Sequence, residues 1–486
     1  MNLIKRNLGW LLLSQAATWG MSVLLLLVAP RKLGGDAFGQ ISFAMVYVSF
    51  FELVALFGTA TYIMKHIARD TESLGRYVFN TLVMKLLVTS FLIAAAIGLA
   101  VVLGYERQTV LLIGAYCIGM LLNAMNSALA GGLQGVQRMG RPALWDVVRS
   151  YVGGALGLAV LLNDGSLLTY ALAFNLACAI PLLANYLHLR PLLRLNRRLD
   201  FALWKQILVG GFPFFIWSAL LVFYGTIDIP LLEAFTNNET VGWYALAYRW
   251  VSMPAFFAAT VATAFFPAMS AQSTRISEEF ANTANRALRI VLFVATPAGV
   301  GIAVIANSFI SVLYGPEFQN AVPLMQILAL HIPIVGMDII LGSVAVAADR
   351  QRQWVYVGVA AAIFNPLLNL AAIPLTVHLF GNGAIGAATI TVLTELILMF
   401  GAIRLRPSGV LDRPTTRILL RIVAASALIA PVVLALGAAP LPIRILAGAV
   451  TYAIASFALG TISIDEIRRS SGGLLGRRRQ PTSVVP

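Results

Sequence analysis

Long apolar runs alternate with short polar segments along the whole chain. A bilayer core needs about 20 apolar residues per helix, and runs of this kind occur fourteen times between residues 8 and 463. The pattern therefore predicts an all-α integral membrane protein with about fourteen transmembrane helices. The first run follows Lys5 and Arg6 and lasts roughly 22 residues, longer than a signal-peptide core. We expect it to be retained as the first helix.

Composition excludes a water-soluble globule. Hydrophobic residues make up 59% of the 486 residues and charged residues only 11%, which leaves too little polar surface to cover a folded domain in water. The lipid bilayer is therefore the first predicted partner.

The net charge of +14 suggests nucleic-acid binding until the basic residues are placed. In the predicted topology, 28 of the 34 Lys and Arg residues fall in one set of alternating loops. Lys85 and Arg249 lie inside helices, and the other set of loops holds four: Arg31, Lys32, Arg107 and Arg444. By the positive-inside rule this asymmetry predicts that both termini are cytoplasmic. It argues against a nucleic-acid partner.

Two stretches of the chain echo each other. DAFGQISFA (Asp36–Ala44) begins the second predicted helix, and ETVGWYALA (Glu239–Ala247) begins the eighth, 203 residues later. A weaker pair, LQGVQRMGR (Leu133–Arg141) and VAVAADRQR (Val344–Arg352), is offset by 211 residues. The echoes indicate two six-helix lobes related by an axis along the membrane normal, with the substrate path between them.

These features predict five segments along the chain. The predicted segments are an N-terminal six-helix lobe at 1–187, a basic cytoplasmic linker at 188–205, a C-terminal six-helix lobe at 206–405, two additional transmembrane helices at 406–466, and a basic cytoplasmic tail at 467–486.

The stretch Gly225–Ser252 combines an apolar helix, a polar turn and a second apolar helix. Asp228 lies near the end of the first helix and Arg249 about two turns into the second, so the rise of 1.5 Å per residue puts them at comparable depths. Membrane helices keep such charges where they face protein or water. We therefore expect a polar cavity inside the bundle.

Further ionisable residues lie within predicted spans: Glu52, Lys85, Asp146, Arg149, Asp338 and Glu395. One interpretation is structural pairing, for example of Glu52 with Lys85, and of Asp146 with Arg149 at i, i+3. The other is that Arg249, Lys85 and Arg149 bind an anionic substrate, while the acids, Asp228 included, tune these charges or couple transport to an ion. We favour function for Arg249, and structure for Glu52, Lys85, Asp338 and Glu395. His331 stands alone on its helix and is interpreted as a packed residue rather than a proton relay.

Motifs for catalysis and cofactors are missing from the sequence. GGLQGVQ (Gly131–Gln137) lacks the Lys and the Ser or Thr of a phosphate-binding loop. No nucleophile elbow and no His/Cys metal spacing occurs, and Cys117 and Cys178 both fall within predicted helices. We expect no catalytic residue, no cofactor and no metal, and ATP-driven transport would need a separate partner.

Several motifs together resemble those of Wzx-type polysaccharide flippases, in the multidrug/oligosaccharidyl-lipid/polysaccharide exporter superfamily. The resemblance covers nearly the whole chain. It rests on the arrangement of six plus six plus two helices and on four stretches: LGGDAFGQISFA, LQGVQRMGR, IDIPLLEAFTNNETVGWYALAYRW and LYGPEFQNAVPLMQILA (Leu313–Ala329).

This resemblance implies the substrate, the location and the partners. The substrate would be an oligosaccharide on undecaprenyl pyrophosphate, moved across a bacterial plasma membrane by ion-coupled alternating access. Pyrophosphate requires fixed positive charge, and Arg249 lies both in a matching motif and inside the membrane. The resemblance also admits a polysaccharide polymerase and a chain-length regulator as partners.

Three alternatives remain. Lipid II flippases also have fourteen spans and carry arginines in the cavity, some of them on the first helix. The first helix here is uncharged from Asn7 to Ala29. Multidrug exporters of the superfamily generally have twelve spans and cationic substrates. A membrane-embedded glycosyltransferase or ligase would be expected to have a large extracytoplasmic loop, and the predicted connections on that side are short.

Overall fold

The computed structural model describes residues 2–193, 198–272, 278–437 and 439–461, with side chains from Ala17 onward. These residues form α-helices joined by short turns, with no strand in the described ranges. The predicted tail at 467–486 and residues 194–197 of the predicted linker lie outside the described residues. The helices are α1 Asn2–Leu56, α2 Thr59–Arg69, α3 Leu74–Val102, α4 Arg107–Gly135, α5 Gly140–Leu162, α6 Leu167–Leu176, α7 Ala179–Leu189, α8 Phe201–Thr226, α9 Asp228–Phe235, α10 Asn238–Ser252, α11 Ala255–Ala271, α12 Glu278–Leu313, α13 Ala321–Ala329, α14 His331–Ala347, α15 Gln351–Phe380, α16 Gly383–Leu405, α17 Arg413–Ala427, α18 Ile429–Ala435 and α19 Leu441–Ala458.

Thirteen helical stretches are long and apolar enough to cross a membrane. The first, Ala17–Arg69, has 53 residues, or about 80 Å of helix, more than twice the bilayer core. It is interrupted at Gly34, whose φ of 79° is non-helical, so it supplies two crossings. The prediction of about fourteen helices is confirmed.

Six predicted spans are each divided into two helices, which the continuous apolar runs did not indicate. The divisions lie between α1 and α2, α6 and α7, α8 and α9, α10 and α11, α13 and α14, and α17 and α18. Local chemistry explains two of them: Gly58 adopts a φ of 65° before α2, and Pro254 precedes α11. Irregular backbone at membrane depth is tolerated inside protein or beside a water-filled cavity.

The chain folds into two compact units. The first comprises Met1–Leu246, Leu313–Phe318 and Ala362–Ala387. One buried apolar cluster in this unit joins α2, α3, α4, α7 and α8. Two ion pairs join separate segments of this unit: Lys32 on α1 pairs with Asp164 after α5, and Arg76 on α3 pairs with Asp200 before α8.

The second unit comprises Ala247–Val312, Gln319–Ala361 and Ala388–Pro486. In this unit the last two predicted spans pack against α12, where the Tyr452 hydroxyl donates to the Phe293 carbonyl at 2.8 Å. Arg444, assigned to a loop from the sequence, lies instead inside α19, is 6% exposed and donates to Ser308. The loop assignment of Arg444 was therefore wrong, and the last two spans contain a buried charge.

The two stretches of the weaker sequence echo each end a helix with the same kind of turn, although the turns are out of step by one residue. Gln137 after α4 and Asp349 after α14 both have left-handed backbones, with φ of 61° and 57°. In each turn the next residue donates its N–H to the carbonyl five positions earlier, at 2.9 and 2.8 Å. These are the same helix-ending turn, and their offset is 212 residues rather than 211.

Candidate functional site

The stronger echo, between DAFGQISFA and ETVGWYALA, brings its two halves into direct contact in the first unit. A methyl group on Gly39 would lie 1.7 Å from the Asn238 carbonyl oxygen, and one on Gly242 would lie 2.2 Å from the Gly35 carbonyl oxygen. A shift of 203 residues exchanges Gly39 with Gly242 and Gly35 with Asn238. The two helices therefore cross with local two-fold symmetry, at a separation that only glycine permits.

A third motif packs beside this crossing. The Glu317 carboxylate accepts a bond from the Gly35 N–H at 2.6 Å, and the Glu317 carbonyl accepts one from the Trp243 indole at 3.0 Å. The Tyr314 hydroxyl donates to the Leu26 carbonyl at 3.0 Å. Three stretches that supported the family resemblance thus meet at the end of the first unit predicted to be extracytoplasmic.

Lys85 lies beneath the division between α1 and α2. Its ammonium group donates to the carbonyls of Ala55 and Leu56 at 3.0 and 3.3 Å, and the residue is 1% exposed. The last carbonyls of a helix have no partner within the helix, and Lys85 satisfies two of them. In this conformation Lys85 binds backbone, and its predicted contact with substrate stays a prediction.

Glu52 and Arg149 do not form the direct ion pairs proposed from the sequence. Glu52 accepts a hydrogen bond from Asn123 at 2.5 Å, while a guanidinium nitrogen of Arg149 lies 3.9 Å from the Cys178 sulfur, at the start of α7. No ion pair within 4 Å joins Glu52 to Lys85, or Asp146 to Arg149, in the part of the chain that the structure describes. Glu52 is bonded to Asn123 on α4 instead, and Lys85 to the last carbonyls of α1.

These side chains nevertheless form one electrostatic group, which we call the N-terminal cluster: Glu52, Lys85, Asn123, Asp146 and Arg149. Glu52 interacts electrostatically with Arg149 and Lys85, and Asp146 with Arg149. Glu52 and Arg149 are partly exposed and Asp146 is exposed. The cluster lies near the α1/α2 and α6/α7 divisions, and its partly exposed members carry both signs of charge.

Asp228 forms a second polar group, the Asp228 cluster, wholly inside the first unit. One carboxylate oxygen accepts from the Tyr244 hydroxyl at 2.6 Å and the other from the Asn369 amide at 2.7 Å. The same amide donates to Asn365 at 3.0 Å. All four residues are buried, between 0% and 3% exposed.

Sequence reasoning missed the neutral partners in both clusters. Asn365 and Asn369 stand at i, i+4 on α15, so they share one face of an apolar helix, and that spacing could have revealed them. Nothing in the sequence marked Glu233, whose carboxyl is hydrogen-bonded to Tyr105. Burial raises the pKa of Glu233, and the Tyr105 bond opposes that rise.

Arg249 lies in the last turn of α10, just before the division at Pro254. It is partly exposed. A cation near a helix C-terminus interacts favourably with the helix dipole, which alone would account for a basic residue there. Its position beside a divided helix also suits a residue that faces a cavity.

The second unit holds a third group, the acid pair: Asp338 on α14 and Glu395 on α16. Asp338 lies within hydrogen-bonding range of Glu395, and the His331 Nδ1 atom is 3.7 Å from a Glu395 oxygen. The Tyr248 ring lies against the imidazole, with centroids 6.1 Å apart. His331, Asp338 and Glu395 are 4% to 5% exposed.

The described residues contain no group of three or more His, Cys, Asp or Glu arranged to hold a metal ion. Cys117 and Cys178 are both buried free thiols. What the three polar groups offer is charge and hydrogen bonding inside a membrane bundle.

Several known proteins are similar to this chain in sequence. The family model described as "Polysaccharide biosynthesis protein" matches residues 4–273. The probable low-salt glycan biosynthesis flippase Agl15 of Haloferax volcanii is 23% identical, over 77% of each chain. The succinoglycan biosynthesis transport protein ExoT of Rhizobium meliloti is 22% identical, over 67% of this chain and 66% of that one.

Solved structures show the same fold. A lipid II flippase MurJ in an inward closed conformation superimposes with a TM-score of 0.76 at 15% identity, covering 95% of this chain and 99% of that one. An inward-facing multidrug resistance transporter of the MATE family gives 0.60 at 16% identity, over 79% and 94%. At these identities the likeness concerns the fold alone.

Proposed function

The chain belongs to the polysaccharide biosynthesis protein family, and from that membership we propose that it is a flippase for lipid-linked oligosaccharides. The substrate is an oligosaccharide repeat unit on undecaprenyl pyrophosphate, carried between the leaflets of the plasma membrane for cell-surface polysaccharide synthesis. The protein is a multi-pass membrane transporter rather than an enzyme. The relatives named as flippase and transport proteins support this class.

The N-terminal cluster is the observation that carries the proposal. A pyrophosphate needs fixed cations, and Arg149 offers a guanidinium that is partly exposed beside a divided helix. Arg249 has the same combination of partial exposure and a neighbouring helix division. We propose that these two arginines bind the pyrophosphate at successive stages of transport. Lys85 acts behind them, through its electrostatic interaction with Glu52.

The glycan and the lipid tail need different surfaces. Carboxylates and amides such as Glu52, Asp146 and Asn123 can hydrogen-bond sugar hydroxyls. The exposed apolar side chains of the last two spans, among them Leu434, Leu446 and Ile454, can remain against lipid. A lipid-linked sugar requires a polar site for its charged head and an apolar surface for its lipid tail.

Orientation and location form part of the same proposal. We place both termini in the cytoplasm on the distribution of basic residues. The crossing of Gly39 with Gly242 then closes the extracytoplasmic end, and substrate enters from the cytoplasmic leaflet. A polysaccharide polymerase and its chain-length regulator would act on the product.

The decisive test is leaflet-resolved accessibility of an undecaprenyl-pyrophosphate oligosaccharide in proteoliposomes. We expect the wild type to expose the glycan on the far side, and Arg149→Ala and Arg249→Ala to slow this about tenfold or more, since a charge-assisted hydrogen bond contributes about 1.5–3 kcal/mol. Arg141→Ala, an exposed arginine on the same helix as Arg149, and Arg352→Ala, exposed at the start of α15, are the matched controls.

Three results would reject the proposal. They are equal slowing by the control substitutions, export of a soluble cation in place of the glycan, and sugar transfer by the purified protein alone. Lipid II belongs in the substrate panel, because a probable lipid II flippase of Bdellovibrio bacteriovorus is 24% identical over 56% of this chain. Preference for lipid II would assign the protein to the lipid II flippases instead.

A further inference from the structure

The Asp338 carboxyl group has no hydrogen-bond donor in the described ranges. Both carboxylate oxygens of Asp338 and the Nδ1 atom of His331 are buried without a hydrogen-bond partner in the described ranges. The nearest polar group to Asp338 is the carboxyl of Glu395, within hydrogen-bonding range. Two ionised carboxylates have no hydrogen to place between them, so this contact needs a proton.

No positively charged side chain among the described residues acts electrostatically on Asp338. Glu395 is the charged side chain that acts on Asp338, and it also acts on His331. Helix α11 packs against α14 and has no ionisable residue. Helix α10 brings the Tyr248 ring to the imidazole and has Arg249 at the next position. Isolated charge in a membrane interior is costly.

We propose that Asp338 and Glu395 share one proton in a buried site beside His331, and that this site binds the proton that drives transport. Like-charged carboxyl groups in contact hold one proton between them. The imidazole places a second proton acceptor 3.7 Å from Glu395. That the bound proton drives transport rests on the proposed flippase function; the proton site itself does not.

A metal cation is the competing ligand, and the geometry disfavours it. His331, Asp338 and Glu395 contact one another in a chain, with Glu395 in the middle. They do not converge on a common point, and the described residues contain no such convergence of three ligands. A proton needs only two facing oxygens.

The site can be tested without substrate. The purified wild type in lipid nanodiscs should show an infrared band of a protonated carboxyl group at neutral pH. Asp338→Asn should lose that band, while Asp228→Asn, which alters the other buried acid, should keep it. Absence of the band from the wild type, or its persistence in Asp338→Asn, would overturn the proposal.

Two further measurements sharpen the assignment. His331→Gln should shift the loss of the band to higher pH, because a protonated imidazole would stabilise the carboxylates; an unchanged titration would remove His331 from the site. Added sodium chloride at constant pH should leave the band unaltered. If sodium removed the band, the site would bind a metal cation instead of a proton, and the proposal would be overturned.

Coupling is tested separately in proteoliposomes with lipid-linked oligosaccharide. For one coupled proton, each unit of pH difference should change wild-type accumulation about tenfold. Asp338→Asn should translocate down its gradient with no response to pH. If the wild type moves no glycan, the flippase function fails while the infrared result stands. If it moves glycan without a response to pH, the driving role fails.

Discussion

Asp228 and Asp338 are both buried carboxyl groups in the membrane helices of one chain, and they have opposite surroundings. Asp228 is 3% exposed, and each of its oxygens accepts a bond from a neutral donor, Tyr244 or Asn369. Asp338 is 5% exposed, and its oxygens have no partner among the described residues apart from another acid in range. The two carboxyl groups are buried to a similar extent, but they differ in the hydrogen-bond donors within reach.

This difference matters because a buried carboxylate requires either donors or a proton. Two donors keep the Asp228 carboxylate satisfied without a proton, so its cluster can hold α9, α10 and α15 together in every state of the transporter. Asp338 has only the Glu395 carboxyl within range among the described residues. Its contact with Glu395 therefore requires a proton, and the stability of the site should change when the proton leaves. Substitutions that change the hydrogen-bond donors around either carboxyl group should therefore change its effect on stability.

The largest effect should come from Asp228→Ala. Removing the carboxylate deletes two charge-assisted hydrogen bonds, one from the Tyr244 hydroxyl and one from the Asn369 amide. Such bonds contribute about 1.5–3 kcal/mol each, so we expect a loss of about 4 kcal/mol. The apparent melting temperature of the purified protein measures it. Asp228→Asn keeps the shape and should lose less. A wild-type melting curve for Asp228→Ala would contradict the structural role of this cluster.

Tyr244→Phe should have about half that effect. It deletes one charge-assisted bond and leaves one oxygen of Asp228 without its donor, for a loss of about 2 kcal/mol. The same melting measurement applies. Tyr452→Phe removes a hydroxyl that donates to a backbone carbonyl instead and is the matched control. Equal losses in the two variants would mean that the charge on Asp228 adds nothing.

The comparison extends to a third carboxylate, Asp412, which lies outside the buried clusters and caps the N-terminus of α17. Its side chain accepts from the Thr415 N–H at 2.8 Å, and the hydrogen bond with Thr415 lowers the pKa of Asp412 below its ordinary 3.8. Asp412→Ala should therefore lose about 1 kcal/mol at neutral pH, as helix caps do.

The sign of its pH dependence follows from the lowered pKa. Stability from Asp412 is complete above the ordinary value of 3.8 and disappears as the pH falls through the folded value. Melting curves of wild type and Asp412→Ala should differ at neutral pH and converge in acid. A difference that persists in strong acid would show that the cap does not depend on charge.

Asp338→Asn should have the smallest effect at neutral pH. The amide replaces a proton-bearing carboxyl with a group that brings its own donor for Glu395, so the net change should be near zero. A proton held only by the folded protein makes wild-type stability fall as the pH rises, and Asp338→Asn should flatten that dependence. Melting curves from neutral to alkaline pH measure this, and parallel curves for both proteins would refute it.

Sequence reasoning found the charged members of every cluster and few of their partners. Lys85, Asp228, Asp338 and Glu395 were identified because an ionisable residue in an apolar run is conspicuous, and all four are buried. Asn123, Tyr244 and Asn369 were missed, because a neutral polar residue has no comparable signal. His331, interpreted as a packed residue, lies 3.7 Å from Glu395, which stands 64 positions later in the sequence.

The sequence by itself determined the membrane location, the helix count and the echo at Gly39 and Gly242. Each of these depends on local hydrophobicity, charge or short motifs, which a linear reading contains. Only the tertiary structure decided that Lys85 caps α1, that Asp228 meets donors and that Asp338 meets another acid. In an apolar bundle, the state of a buried charge depends on the few atoms that distant helices bring within about 3 Å of it, and no local pattern encodes that proximity.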